Sequence, residues 1–107
     1  MDINITKSGT EILCKVTGAL TRETIQENLF EHSQMSNVTA NVIKTVTVDL
    51  NDLDKTDTAG LAWLINAKRD AKQTGLSLLI QPIPEQLSSL AKLSGAQTII
   101  NNEEGNG

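Results

Sequence analysis

Aliphatic and polar residues alternate strictly along residues 45–50, in a segment rich in Val and Thr. This alternation predicts a strand with one buried face. Asp-rich residues 51–57 follow as an acidic turn, and residues 58 to about 75 carry apolar side chains at helical spacing. The sequence therefore predicts a strand, a turn and a helix, with the hydroxyl of Thr58 exposed on the rim where strands end.

Two short strands are predicted before this unit, at residues 3–6 and 11–17, around a hairpin turn at 8–10. Gly18 is expected to end the second strand. From Thr21 to about Met35 the pattern predicts a helix whose N-terminus is closed by a hydrophobic staple between Leu20 and Ile25. The inner face of this helix is expected to carry Ile25, Leu29 and Met35, with Phe30 at its margin, and residues 36–41 are expected to form a polar loop.

After the main helix, which Gly75 is expected to end, residues 76–80 are uniformly apolar and predict a strand buried on both faces. Pro84 is expected to open a third helix at its first position, and Gly95 to end it. Ile99 and Ile100 predict a last short edge strand.

The order β-β-α-β-α-β-α predicts parallel pairing with right-handed crossovers. We expect a single α/β domain with one mostly parallel central sheet of four to five strands and about three to four helices. This domain spans residues 1–100, and residues 101–107 have the composition of a flexible C-terminal tail. Because the strand at 45–50 alternates, one sheet face is expected to be less covered than in a doubly wound fold.

The start of the main helix has a good N-cap in Asp57, whose carboxylate can accept from the free amides of the first turn. Gly60 stands alone between strand and helix. Neither a Walker-type nor a dinucleotide-binding loop can be built there, which argues against a nucleotide enzyme. By spacing alone, Asp57 and Thr58 fit equally well a helix start with no further role.

Composition removes further classes of function. The chain has 107 residues with 13 Asp and Glu against 9 Lys and Arg, and its basic residues are scattered singly, which disfavours nucleic-acid binding. Its aromatic residues are Phe30 and Trp63, too few for a stacking platform. Cys14 is the single cysteine, and neither a signal peptide nor a membrane span is recognisable, so we expect a cytoplasmic protein.

Candidate chemistry is sparse. His32 has no partner at metal-ligand spacing, and a solvated or end-capping role fits it better. The four Asp residues between positions 49 and 57 lack the glycine and the terminal glutamate of a calcium loop. We predict no catalytic residue, no metal, no cofactor and no small-molecule substrate.

The main helix presents three sides at 100° per residue. Its inner stripe, expected to pack on the sheet, consists of Gly60, Leu64, Ala67 and Ala71. Its outer stripe, of the mixed character seen at interfaces, consists of Thr58, Ala62, Ile65 and Arg69. On the third, otherwise polar side, Trp63 is either covered by the sheet edge or the first loop, or is a contact anchor for a partner.

The motif Asp-Leu-x-x-Leu-x-x-x-Asp-Thr-x-Gly-Leu-Ala at residues 49–62 resembles the STAS domain of sulfate transporters and anti-sigma factor antagonists. The likeness includes Ala-Lys-Gln-Thr-Gly at 71–75 and Leu-Ala-Lys-Leu-Ser-Gly at 90–95, and it covers nearly the whole chain. Within the family the sequence is most similar to the MlaB group, the small cytoplasmic STAS subunits of Mla phospholipid-transport ABC complexes in Gram-negative bacteria.

This resemblance implies a non-catalytic subunit that binds and stabilises or regulates the ATPase of an ABC phospholipid transporter maintaining outer-membrane lipid asymmetry. It implies that the chain is held peripherally at the inner membrane through the ATPase and, beyond it, a permease. The residues it suggests for partner binding lie at the motif and along the helix that follows: Asp57, Thr58, Ala59, Ala62, Trp63, Ile65 and Arg69.

An alternative is an anti-sigma factor antagonist in a partner-switching phosphorylation cascade. Antagonists resemble Asp-Ser-Ser-Gly at the motif, and the phosphorylated hydroxyl is the one before the glycine. Ala59 stands at that position here. Thr58 remains as a candidate phosphoacceptor, favoured by the helix N-terminus and opposed by the charges of Asp54 and Asp57.

Overall fold

The strand patterns of this sequence are realised in one sheet. The computed structural model describes residues 1–32, 35 and 42–100, and in this part of the chain the sheet has five strands. They are β1 (Asp2–Ser8), β2 (Glu11–Leu20), β3 (Thr45–Asp49), β4 (Leu53–Thr56) and β5 (Ser77–Ile80). Their order is β1-β2-β3-β5, and β4 also pairs with β2. The β1–β2 pair is antiparallel and the other three pairs are parallel.

The three α-helices described next lie in the C-terminal half of the chain, and the 3-10 turn lies in the N-terminal half. They are α1 (Thr58–Gln73), α2 (Glu85–Ser94) and the single turn α3 (Gln97–Ile100), and a 3-10 turn spans Leu29–Glu31. The predicted class, an α/β domain with a mostly parallel sheet, is confirmed. In the described residues no helix combines the length and the apolar character needed to cross a bilayer.

Glycine ends α1 as the sequence predicts. Gly75 has φ +79°, and its amide donates to the carbonyl of Lys72 at 3.2 Å. The amide of Leu76 donates back to the carbonyl of Ala71 at 2.8 Å. These two bonds form a Schellman motif, which uses the otherwise unpaired carbonyls of the last turn. Gly95, with φ +70°, ends α2, whereas Pro84 is the N-cap of that helix and not its first residue.

The helix predicted from Thr21 to about Met35 is wrong over residues 21–32, where the one helical turn is the 3-10 turn Leu29–Glu31. The segment is a turn in which the Thr24 hydroxyl donates to the carbonyl of Ala19 at 2.8 Å and accepts from the amide of Thr21 at 3.0 Å. Threonine side chains that bond to nearby backbone in this way compete with helix formation. Without a helix start, Leu20 and Ile25 form no hydrophobic staple, and the loop predicted at 36–41 lies outside the described residues.

Strand β2 does not end at Gly18. This residue has φ +83°, and the pairing register shifts between Gly18 and Ala19. Beyond the shift β2 pairs with β4, with Leu20 opposite Thr56. Part of the predicted acidic turn is therefore a strand, and it delivers the chain directly to the start of α1.

The helices cover one face of the sheet. Cys14 on β2 and Val48 on β3 lie on this face and are fully buried, and all four residues of the inner stripe are buried against it. On the opposite face Leu13 is 43% exposed and Leu79 half-buried. The expected weaker cover of one face is confirmed, and the prediction that 76–80 is buried on both faces is wrong.

The predicted edge strand at Ile99 and Ile100 is also wrong. After Gly95 the amide of Ala96 donates to the carbonyl of Ala91 at 2.8 Å, which turns the chain back onto the end of α2. The next turn is helical and buries Ile100 completely. Ile100 therefore packs in the core at the end of α3, Ile99 is half-buried, and neither extends the sheet.

Candidate partner-binding site

Asp57 organises the start of α1 with both carboxylate oxygens. Oδ1 accepts from the amide of Gly60 at 3.0 Å, as an N-cap should, and Oδ2 accepts from the amide of Arg22 at 3.1 Å. The Arg22 amide, followed by those of Gly60 and Ala59, lowers the pKa of Asp57 below its ordinary value, against a smaller opposing effect of burial. One side chain therefore joins the helix start to the turn at residues 21–24.

This double contact has an expected pH signature. The pKa of Asp57 is lowered on folding, so its charge stabilises the fold above the unfolded value of 3.8 and loses that effect as pH falls through the folded pKa. Asparagine is an equally good N-cap, but its amide nitrogen cannot accept from the Arg22 amide, so we expect Asp57→Asn to cost roughly 1 kcal/mol near neutral pH. Urea unfolding of both proteins from pH 7 to pH 2.5 should show this difference shrinking below about pH 4. A difference constant across that range would contradict a role for the charge.

The outer stripe lies on the surface of α1. Thr58, Ala62 and Arg69 are exposed, and Ile65 is half-buried beside them. Ala59 is half-buried next to Thr58. The stripe thus presents one hydroxyl, two apolar side chains and one guanidinium along about three turns of helix, a mixture suited to a protein contact and offering no nucleophile with an adjacent base.

Gly60 allows the ends of three elements to meet beneath this stripe. A Cβ at this position would collide with the carbonyl oxygen of Leu20 and the hydroxyl oxygen of Thr56. The amide of Thr56, itself buried, donates to the Oε1 atom of Gln86 on α2 at 3.0 Å. The rim is therefore built by β2, β4, α1 and α2 together.

Trp63 does not belong to the exposed surface. Its side chain is 2% exposed, and its Nε1–H donates to the carbonyl of Glu27 at 2.8 Å. We call residues 21–32 the cover segment, because they include Glu27 and the 3-10 turn Leu29–Glu31, which packs on α1. Of the roles left open by the sequence, a covered Trp63 is the observed one, but its cover comes from a segment that the sequence predicts as helix, and Trp63 is not offered to a partner in this structure.

The other candidate reactive side chains include His32 and Cys14. Among residues 1–32, 35 and 42–100, no three His, Cys, Asp or Glu side chains are grouped so as to hold a metal ion. His32 lines a cavity of about 310 Å³ with Glu23, Glu27 and the start of β1. Burial raises the pKa of the Cys14 thiol to about 12, which leaves it protonated and unreactive.

Sequence reasoning missed two residues at the rim. Arg22 comes from a segment read as helix and lies 35 positions from Asp57, and Gln86 lies 30 positions from Thr56. Neither contact has a local signal. The one available signal is that an N-cap aspartate uses only one carboxylate oxygen for the cap, which leaves the second oxygen of Asp57 able to accept another bond.

The family model described as "Mlab, STAS domain" matches residues 3–101, and the chain therefore belongs to this family of STAS domains. A search of curated proteins gave no match.

Solved structures with the same fold include anti-sigma factor antagonists and a transporter domain. The antagonist SpoIIAA in its unphosphorylated form has a TM-score of 0.61 at 11% identity, over 90% of this chain and 83% of its own. Bacillus SpoIIAA in its phosphorylated form gives 0.65 at 9%, over 89% and 85%. A sulfate transporter family protein from Wolinella succinogenes gives 0.63 at 13%, over 85% and 71%.

The likeness extends to part of a larger protein. Mglu has a TM-score of 0.59 at 15% identity, over 78% of this chain, and the chain spans only 20% of Mglu. At such identities these structures establish the fold alone.

Proposed function

We propose that this STAS domain is a non-catalytic subunit that binds, and stabilises or regulates, the cytoplasmic ATPase of an ABC phospholipid transporter maintaining outer-membrane lipid asymmetry. The observation that carries the proposal is the outer stripe of α1, exposed on a helix start that Asp57 holds at two points. The match to the family model described as "Mlab, STAS domain" supports it, because the ATPase partner is proposed from the resemblance to this group of STAS domains.

Such a subunit acts by binding alone. ATP chemistry needs a glycine-rich phosphate-binding loop, and the turn before α1 has no glycine. Gly60, in the first turn of α1, lies close against the Leu20 carbonyl oxygen and the Thr56 hydroxyl oxygen. Any effect on hydrolysis must therefore come from different affinities for two states of the ATPase. Binding also stabilises the partner by mass action, by about 2.7 kcal/mol at a concentration 100 times the dissociation constant.

The same proposal places the chain at the inner face of the cytoplasmic membrane through its partners. The ATPase would link it to an inner-membrane permease, and the domain itself would contact neither lipid tails nor nucleic acid. An unbound domain would diffuse in the cytoplasm, and membrane association would depend on the ATPase.

A second candidate function is that of an anti-sigma factor antagonist, which the fold of SpoIIAA favours. Its phosphoacceptor position, before Gly60, is occupied by Ala59. Thr58 is exposed and could take a phosphate, although Asp57 lies beside it. Phosphate found on Thr58 in the native host, together with capture of a kinase, would favour this alternative over the transporter subunit.

We predict that Thr58→Glu leaves the fold intact and weakens the complex with the ATPase by at least tenfold. Thr58 is exposed at the first position of α1, so a charge there changes the contact surface without touching the core. The measurement is the dissociation constant for the purified ATPase subunit, beside the melting temperature of each variant.

Thr10→Glu is the matched control, because it makes the same substitution at the exposed β1–β2 turn. It should bind like the unmodified protein. Unchanged affinity of Thr58→Glu would leave Thr58 as a helix start only. Failure of the unmodified protein to bind the ATPase would overturn the proposed function itself.

A further inference from the structure

Helix α1 carries the opposite charge to the chain that contains it. The chain has 13 acidic and 9 basic residues, whereas α1 has three basic residues and one acidic residue. Arg69 and Lys72 are exposed, Lys68 is buried and Asp70 is half-buried. The exposed charge on this helix is therefore mainly positive.

Of the acidic groups before the helix, Asp57 is engaged by the amides of Gly60 and Arg22, and Asp49 and Asp52 lie near Lys15 on the other face of the sheet. Lys15 on β2 is on the face opposite to Cys14, away from α1. Its Nζ atom pairs with the Asp52 carboxylate at 2.9 Å, and Asp49 lies opposite it in the ladder. The sheet thus separates the carboxylates of Asp49 and Asp52 from the basic residues of α1.

Arg22 adds a second arginine at the other end of the helix. Its amide is fixed to Asp57, and its side chain is exposed. The adjacent Glu23 lines the cavity together with Met1. On β4 the exposed Asp54 stands next to the exposed Lys55, so their charges offset one another.

Resting on the proposed function, we infer that the outer stripe, extended by Arg22 and Lys72, docks on an acidic patch with an apolar centre on the transporter ATPase. Ala62 and Ile65 supply the apolar middle, and Arg22 and Arg69 lie at the two ends. The positions from Thr58 to Arg69 span roughly 16 Å along the helix axis. Opposite charge on the two surfaces speeds association and fixes register.

A second copy of this chain fits this surface poorly. A two-fold contact would place the same patch on both partners and bring like charges together. The partner is therefore a different, acidic surface.

The test compares dissociation constants and association rates for the ATPase subunit at about 50 mM and about 300 mM salt, where screening differs strongly. Arg69→Glu should weaken binding at least tenfold at low salt, mainly through slower association, and the loss should shrink at high salt. Arg22→Gln should weaken it several-fold; glutamine is chosen because a glutamate would repel Asp57. Arg69→Lys should retain most of the affinity.

Lys7→Glu is the control, since it changes net charge as Arg69→Glu does at an exposed site on β1. It should alter the constant by less than about twofold. Equal effects of Lys7→Glu and Arg69→Glu, or a complex insensitive to salt, would overturn the charge inference and leave the proposed function standing. Dimers of the unmodified protein that Arg69→Glu disrupts would also overturn it, and absence of any complex would overturn both.

Discussion

Replacing Gly60 by alanine is expected to destabilise the fold by about 3 kcal/mol, although alanine is the better helix former. The added Cβ would collide with the Leu20 carbonyl oxygen and the Thr56 hydroxyl oxygen. Leu20 cannot move aside freely, because it pairs with Thr56 at the end of the sheet. The helix would have to shift outward and open the contact between the inner stripe and the sheet.

Urea unfolding monitored by circular dichroism measures this loss. Ala62→Gly is the control on the same helix, where an exposed alanine is exchanged for glycine at a cost of about 1 kcal/mol from propensity alone. Gly60→Ala should cost clearly more, despite gaining propensity. A higher free energy of unfolding for Gly60→Ala would show that the ends of β2 and β4 do not pack closely against Gly60, contrary to the structure.

The strand, the helix start and the helix end around this glycine could be predicted because their signals are local. The alternation in β3, the Asp57 cap and the Gly75 stop each depend on residues within a few positions of one another. Strand β4 depends instead on a register shift at Gly18 in β2, 35 positions before Leu53. No pattern within 53–56 announces that pairing, and the Asp residues there favour a turn.

The candidate site likewise has features with local sequence signals and features that depend on distant contacts. Helical periodicity alone separates the outer stripe from the inner stripe, and the burial of each agrees with it. The position of Arg22 and the cover over Trp63 both depend on the course of residues 21–32, where bonds of the Thr24 hydroxyl favour a turn over the predicted helix. This one wrong element therefore accounts for the missed Arg22 contact and for the cover over Trp63, whereas the contact of Gln86 with Thr56 depends on how α2 packs.

Trp63→Ala is expected to cost about 3–5 kcal/mol of unfolding free energy, since it removes a large buried side chain. The loss includes the bond from Nε1 to the Glu27 carbonyl. The cover segment is held to α1 here and, near its start, where the Arg22 amide meets Asp57. Removing the ring should loosen this segment and free Arg22 to move.

Trp63→Phe separates packing from the hydrogen bond. It keeps most of the buried area and leaves the Glu27 carbonyl without this donor, at a cost of about 1–3 kcal/mol. If Trp63 acts only in the core, both variants should have a lower free energy of unfolding. Their affinity for the ATPase should then fall only as far as the folded fraction falls. At a temperature well below its unfolding transition, Trp63→Phe should therefore bind like the unmodified protein.

The single tryptophan is also its own reporter. Because Trp63 is buried under the cover segment, its emission should be blue-shifted in the free domain and unchanged on adding a tryptophan-free variant of the ATPase. A shift on binding, together with a tenfold weaker complex for Trp63→Phe at unchanged stability, would show that the cover segment opens and that Trp63 is a contact anchor after all. The expected pair of results instead assigns binding to the outer stripe and stability to the ring beneath it.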